Sequence, residues 1–147
     1  MRNFVWFACV LVGANGLSQA LIDEKKEMIM EHVLDCLESE KATDADLAAM
    51  KAHKSPVTHE GRCAIFCVNK KLGVMNEDGS INDPHTEWID KVKADDPDTY
   101  AKMEKVYHAC RNIEKKDDPC DTSLEFVLCI KEEAGKEGLP KIFTDGE

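Results

Sequence analysis

Seven cysteines and five histidines are the residues of this chain best suited to cross-linking, metal binding or nucleophilic chemistry. Cys36, Cys63, Cys67, Cys110, Cys120 and Cys129 are spread through the body of the chain, and Cys9 lies near its start. Such thiols hold zinc in a reducing compartment and pair in an oxidising one. The catalytic patterns fail on inspection. His59-Glu60-Gly61-Arg62-Cys63 begins like a zinc-protease helix but has Cys where the second His is required. No G-x-S-x-G elbow occurs. The stretch Asn76-Glu77-Asp78-Gly79-Ser80, aligned on Gly79 as the sixth loop residue, puts Val74 and His85 where an EF-hand needs acids. It reads as a turn. We therefore expect no enzymatic activity, no metal and no cofactor. His32, His53, His59, His85 and His108 are the groups that would titrate in a mildly acidic compartment.

The compartment is indicated by the first twenty residues. Arg2 is followed by the apolar run Phe4 to Val12, then by small residues ending in Ser18-Gln19-Ala20. That is the order of a secretory signal peptide. We expect residues 1–20 to be removed and residues 21–147 to form one domain in extracellular fluid. The apolar run is shorter than the roughly 20 residues a spanning helix needs, and no later stretch is apolar and uncharged enough. Secretion favours disulfides over zinc. Arg2 is the one charged side chain in the leader, so its loss moves the net charge from −10 to −11. An acidic surface of this kind repels nucleic acids and anionic membranes. Neutral ligands remain open.

The elements that must position these cysteines are helical. Asp83-Pro84, Asp96-Pro97 and Asp118-Pro119 each place a good N-cap before a residue that suits the first helical position. Thr43 with Asp46 three residues on resembles a capping box. We read six helices: 22–37, 44–53, 60–72, 84–94, 97–113 and 119–134, with an irregular loop at 74–82 and a tail at 138–147. Tyr100, Met103, Val106, Tyr107 and Cys110 form a stripe on the fifth. Leu124 and the run Phe126 to Ile130 leave the sixth no polar face in its middle, so it should run through the centre. Its expected stop is Gly135.

Six cysteines allow 15 pairings, and helix geometry removes some. Cys63 and Cys67 are one turn apart with parallel Cα–Cβ bonds, which suits a mutual disulfide poorly. Cys120 and Cys129 are separated by about 13 Å of helical rise, beyond disulfide reach. Excluding both pairs leaves ten pairings. Cys120 and Cys129 also point from opposite sides of their helix, so it should be stapled on both flanks.

The spacing C-x26-C-x3-C-x42-C-x9-C-x8-C, behind a leader in an acidic helical chain, resembles the insect odorant-binding proteins of the pheromone and general odorant-binding family. The x3 and x8 gaps and the loop Leu72 to Gly79 carry the resemblance, which covers the mature chain. It implies the pairs Cys36–Cys67, Cys63–Cys120 and Cys110–Cys129. The expected fold is an all-α, compact bundle of about six helices, cross-linked by three interlocked disulfides around an apolar pocket. The implied function is reversible binding and transport of small hydrophobic molecules such as odorants or pheromones. Two alternatives are a same-fold carrier of non-olfactory ligands and a saposin-like, membrane-active protein. The partners implied are a small apolar ligand, with a membrane chemoreceptor and a second copy of the chain as further candidates. Nucleic acid binding and membrane insertion are not expected.

A carrier needs an apolar wall with a few orienting polar groups. The candidates are Trp88, Val92, Met103, Val106, Tyr107, Phe126, Val127 and Ile130, with Ile29, Val33 and Phe66 opposite. The tail Leu139-Pro140-Lys141-Ile142-Phe143 reads as a segment that folds back, bringing Phe143 over the pocket as part of a lid.

Overall fold

The computed structural model describes residues 16–83 and 86–140. Six helices occur among them: α1 (Gln19–Ser39), α2 (Asp44–Lys51), α3 (His59–Lys71), α4 (Glu87–Asp95), α5 (Pro97–Cys110) and α6 (Pro119–Lys136). Strand-like pairing among the described residues is confined to one antiparallel bridge between Met75 and Ile81, at the base of the loop after α3. The fold is all-α.

Capping explains most of the helix starts. The side chains of Asp96 and Asp118 accept from the backbone N–H groups of Thr99 and Cys120, with Pro97 and Pro119 opening α5 and α6. The expected start at Pro84 lies outside the described residues. α4 begins instead at Glu87, because the extended Thr86 places its hydroxyl to accept from the N–H of Ile89.

The helix ends expose a weaker signal. α6 runs past Gly135 and stops at Gly138, which takes φ +66. There the N–H of Leu139 donates to Ala134 and that of Gly138 to Gly135, so two orphan carbonyls are satisfied in a Schellman motif. α1 and α2 end by the same hydrogen-bond pattern, but with Lys41 and His53 in the left-handed region. No glycine marks these stops, and α1 outruns its expected end at Leu37 by two residues. α5 ends at Cys110, short of Ile113, with Arg111 closing the last turn on Tyr107. At the other end of the chain, α1 begins at Gln19, before the boundary expected at residue 21.

Disulfides join Cys36 to Cys67, Cys63 to Cys120 and Cys110 to Cys129. α6 packs between α3 and α5, and is bonded to the first through Cys120 and to the second through Cys129. Both flanks are stapled, as its cysteine positions require. α3 also packs on α1, and α4 bridges α1 and α5. The expectation that α6 is buried all round needs correction. Phe126 is buried, but Glu125 is exposed and Leu128 is 41% exposed. A helix sandwiched on two sides keeps a third side open. Beyond α6, Leu139 folds back into a buried cluster with Val106 and Ala134. Phe143 and the rest of 141–147 lie outside the described residues.

One buried carboxylate organises the short α2. Asp46 is fully buried. Its oxygens accept from the N–H and hydroxyl of Thr43, the N–H groups of Val57 and Thr58, and the hydroxyl of Thr58. Asp46 thus caps its own helix and ties it to the N-cap of α3, where the Thr58 hydroxyl accepts from Gly61. A Cβ on Gly61 would lie 2.4 Å from an Asp46 oxygen, so only glycine lets α3 approach this closely. Burial by itself would raise the Asp46 pKa, but the donors around it, Thr58 foremost, hold it well below the usual carboxylate range. The folded pKa is below the unfolded one. Its contribution is therefore complete above about pH 4 and is lost as pH falls through the folded value. We expect Asp46→Asn to lower stability at pH 7 by about 2 kcal/mol, since some of these donors lose their charged acceptor. The variant should also lose part of the acid sensitivity of the parent. Urea denaturation at pH 7 and pH 3 tests both; an unchanged midpoint at pH 7 would refute the role.

Candidate ligand-binding cavity

A cavity of about 290 Å³ opens between α1, α3 and α6. Ile29 and Val33 line it from α1, and Ala64, Ile65, Val68, Asn69 and Leu72 from α3 and its C-cap. α6 contributes Leu124, Val127, Leu128 and Lys131. Met50 and the connection His53 to Pro56 complete the rim. The wall is almost wholly aliphatic, and exposed Leu128 is explained by it. An apolar side chain facing an open hollow remains solvent-accessible where a ligand would cover it.

Local geometry sets this wall. Ile65, Val68 and Leu72 recur on α3 at i, i+3 and i+7, while Leu124, Val127, Leu128 and Lys131 recur on α6 at i, i+3, i+4 and i+7. These are single helix faces. The rim depends on Asp46, whose hydrogen bonds to Val57 and Thr58 anchor the connection just after Pro56. His53 holds φ +55, an uncommon conformation for a residue with a Cβ. Its carbonyl accepts from Lys131 Nζ at 2.8 Å, joining the rim to α6. The lining has Lys54, Lys131 and His53 but no carboxylate, in a chain that carries 29 acidic and 19 basic side chains. Asn69 is buried, and its amide donates to Ser123 Oγ at 2.8 Å and to Met75 Sδ. It ties α3 to α6 beside the cavity.

Of the twelve candidate contact residues, eleven lie among the described ones: three line this cavity and eight sit in or against buried clusters. Ile29, Val33 and Val127 line the cavity. Phe66 and Phe126 are buried with Met75, Cys110 and Cys120, and Tyr107 and Ile130 pack against that cluster. Trp88 and Val92 lie with Leu17 and Leu21, where Met103 joins them. Val106 packs with Ala134 and Leu139. Trp88 Nε1 donates to the Leu21 carbonyl at 3.0 Å, and the Tyr107 hydroxyl donates to Asn82 O. Burial, aided by the Asp83 carboxylate, raises the Tyr107 pKa. Phe143 lies outside the described residues. The lining of α3 was legible as the apolar spacing 65, 68 and 72. Nothing in that spacing distinguishes a face on a hollow from a face on a neighbour.

One cluster has the composition of a metal site. Ligand atoms of His59, Cys63, Asp118 and Cys120 lie within 4.8 Å of one another. Cys63 and Cys120 are joined to each other, so neither sulfur is a thiolate. His59 Nε2 and Asp118 Oδ2 pair instead at 2.5 Å. That bond, followed by the Cys120 N–H, holds the Asp118 carboxyl below its ordinary pKa. The cluster is a clasp between the starts of α3 and α6, not a metal centre.

The PBP/GOBP family pattern matches residues 18–133, which include every disulfide and every residue lining the cavity. The chain belongs to the PBP/GOBP family. Its relatives include general odorant-binding protein 19d of Drosophila melanogaster, 30% identical over 88% of this chain and 90% of that protein. General odorant-binding protein 28a of the same fly is 31% identical over 90% and 93%. The solved odorant-binding protein dmelOBP28a superimposes with a TM-score of 0.66 at 29% identity, covering 81% of this chain and 99% of its own. A fatty acid binding protein, OBP56a from the oral disk of the blowfly Phormia regina, shares the fold at a TM-score of 0.60 and 20% identity, covering 83% and 98%. PBP/GOBP members are small-ligand carriers, and membership replaces the saposin-like alternative.

The Asn69–Ser123 bond gives this wall a direct test. Ser123→Ala leaves the buried Asn69 amide without its oxygen acceptor, at a cost of about 1–3 kcal/mol. Ser123→Ala paired with Asn69→Leu, which removes both polar partners, should recover part of that loss. Chemical denaturation of the two variants measures it, and a neutral Ser123→Ala would show that the bond contributes nothing.

Proposed function

We propose that the protein is secreted and acts as an extracellular carrier, reversibly binding and transporting a small hydrophobic molecule in the cavity between α1, α3 and α6. The observation that carries this reading is an aliphatic hollow of about 290 Å³ in a chain of the PBP/GOBP family. Its walls are cross-linked to each other by Cys36–Cys67 and Cys63–Cys120. The size is at the small end of ligand pockets, about 300–1,000 Å³. It suits a compact odorant-like molecule or one medium alkyl chain. The residues that bind it are Ile29, Val33 and Val127 with their cavity neighbours. Delivery to a membrane chemoreceptor is the transport step this implies. No helix among the described residues is long and apolar enough to cross a membrane.

A second ligand class is favoured by the rim. Lys54 and Lys131 beside His53, with no carboxylate in the lining, suit an alkyl chain ending in a carboxylate. A fatty acid is therefore the non-olfactory alternative, the class named for the blowfly relative.

The test is displacement of the neutral fluorophore N-phenyl-1-naphthylamine from the secreted protein. Binding should be micromolar, about −8 kcal/mol, which ten buried carbons can supply at about 0.8 kcal/mol each. Decanol and decanal should displace the probe if the ligand is neutral. Preferential displacement by decanoate, lost in Lys131→Met, identifies the acid class. Val127→Trp should fill the hollow and weaken probe binding by about tenfold or more, or about 1.4 kcal/mol, with circular dichroism unchanged. No probe binding by folded protein would remove the carrier reading.

A further inference from the structure

The segment before α1 is built into the fold. Leu17, two residues ahead of the helix, is only 8% exposed and sits in a cluster with Leu21, Trp88 and Val92. The backbone N–H of Ser18 donates to Asp95 Oδ2 at 2.9 Å, and the Ser18 carbonyl accepts from Ile22 to close the first turn. These contacts fasten α1 to the far end of α4. A cut after Ala20 would delete Leu17, the Ser18 bridge and the first two helical residues.

The sequence offers a second bond to a signal peptidase. Ala14-Asn15-Gly16 places small residues at the third and first positions before the cut, as Ser18-Gln19-Ala20 does. It lies nearer the apolar run that ends at Val12. The peptidase reads an unfolded leader, so the sequence must offer the bond, and the fold shows which cut leaves the domain whole. Gly16-Leu17-Ser18 fits the same rule, but a cut after Ser18 removes both Leu17 and the Ser18 bridge, so of the three bonds offered only Gly16–Leu17 leaves the folded domain complete.

We infer that Gly16–Leu17 is the processing site and that the mature chain begins at Leu17. This rests on the secretion half of the proposed function. Water adds across that amide: Gly16 leaves with the leader as a carboxylate, and Leu17 keeps the amine, which takes up a proton. The new ammonium lies one residue from the amide that Asp95 accepts. A second carboxylate, Asp96 Oδ2, lies 4.0 Å from where a Gly16 Cβ would be. Asp95 ends α4 and Asp96 lies between α4 and α5, so two carboxylates offset the unfavourable placement of that charge near the starts of α1 and α5.

Expression of the full 147-residue chain in a secreting insect cell line, followed by N-terminal sequencing and intact mass of the secreted product, decides the matter. The expected first residues are Leu-Ser-Gln-Ala-Leu. Any other first residue, Leu21 included, overturns the inference while leaving secretion standing. Retention of an uncut chain in the cells overturns both. Refolded chains starting at Leu17 and at Leu21 give a second readout. The longer should melt about 5 °C or more above the shorter, and equal melting would show that Leu17 and Ser18 do not support the fold.

Discussion

Everything else in this molecule depends on how α3 is tied to its neighbours. Cys63 and Cys67, one helical turn apart, are committed to different partners, α6 and α1. The chain closes around α3 at two points separated by 57 and 31 residues. Loop closures of that length restrict the unfolded chain by about 3–4 kcal/mol each on the chain-entropy account. The same two bonds join the three helices that wall the cavity. A hollow lined by Leu124, Val127 and Leu128 forgoes dispersion contacts that a collapsed bundle would make. Cross-linking its walls stabilises the fold without filling it.

The remaining helices serve as backing. α5 and α4 present large apolar residues to buried clusters, Val106 with Ala134 and Trp88 with Leu17 and Leu21. The rim is held differently, by polar chemistry. Asp46 gathers α2, the connection after Pro56 and the cap of α3 into one network, and Lys131 clasps the His53 carbonyl across the opening. His53 keeps its left-handed backbone because a Schellman bond pair on one side and this clasp on the other leave it no alternative.

Helix existence, capping and cysteine spacing were local matters, so they could be read directly. Asp96-Pro97 and Asp118-Pro119 cap as their side-chain chemistry requires, and Thr43 with Asp46 forms the expected box. The family resemblance in the cysteine spacing supplied the pairing that geometry had narrowed only to ten. Endings were less legible. Gly135 remains helical because the bonds that stop α6 form three residues later, where Leu139 has a buried cluster to join. Lys41 and His53 take the role of glycine at two other ends, which their side chains do not advertise.

The sequence by itself determined that the chain is helical, acidic, rich in cysteine at family spacing, and apolar in stripes such as Tyr100, Met103, Val106, Tyr107 and Cys110. Those properties follow from neighbours within a few residues and from solvent, and need no knowledge of the partner across the interface. Only the tertiary structure decided which stripe meets another helix and which meets a hollow. Met103, Val106 and Tyr107 on α5, at i, i+3 and i+4, form a one-faced apolar stripe just as Ile65, Val68 and Leu72 do on α3, at i, i+3 and i+7. The first set packs into core and the second faces the cavity. Hydrophobic burial is non-directional and rewards either outcome. The difference comes from disulfides and from the Asp46 network, which fix where the backbones lie before the side chains find what they face.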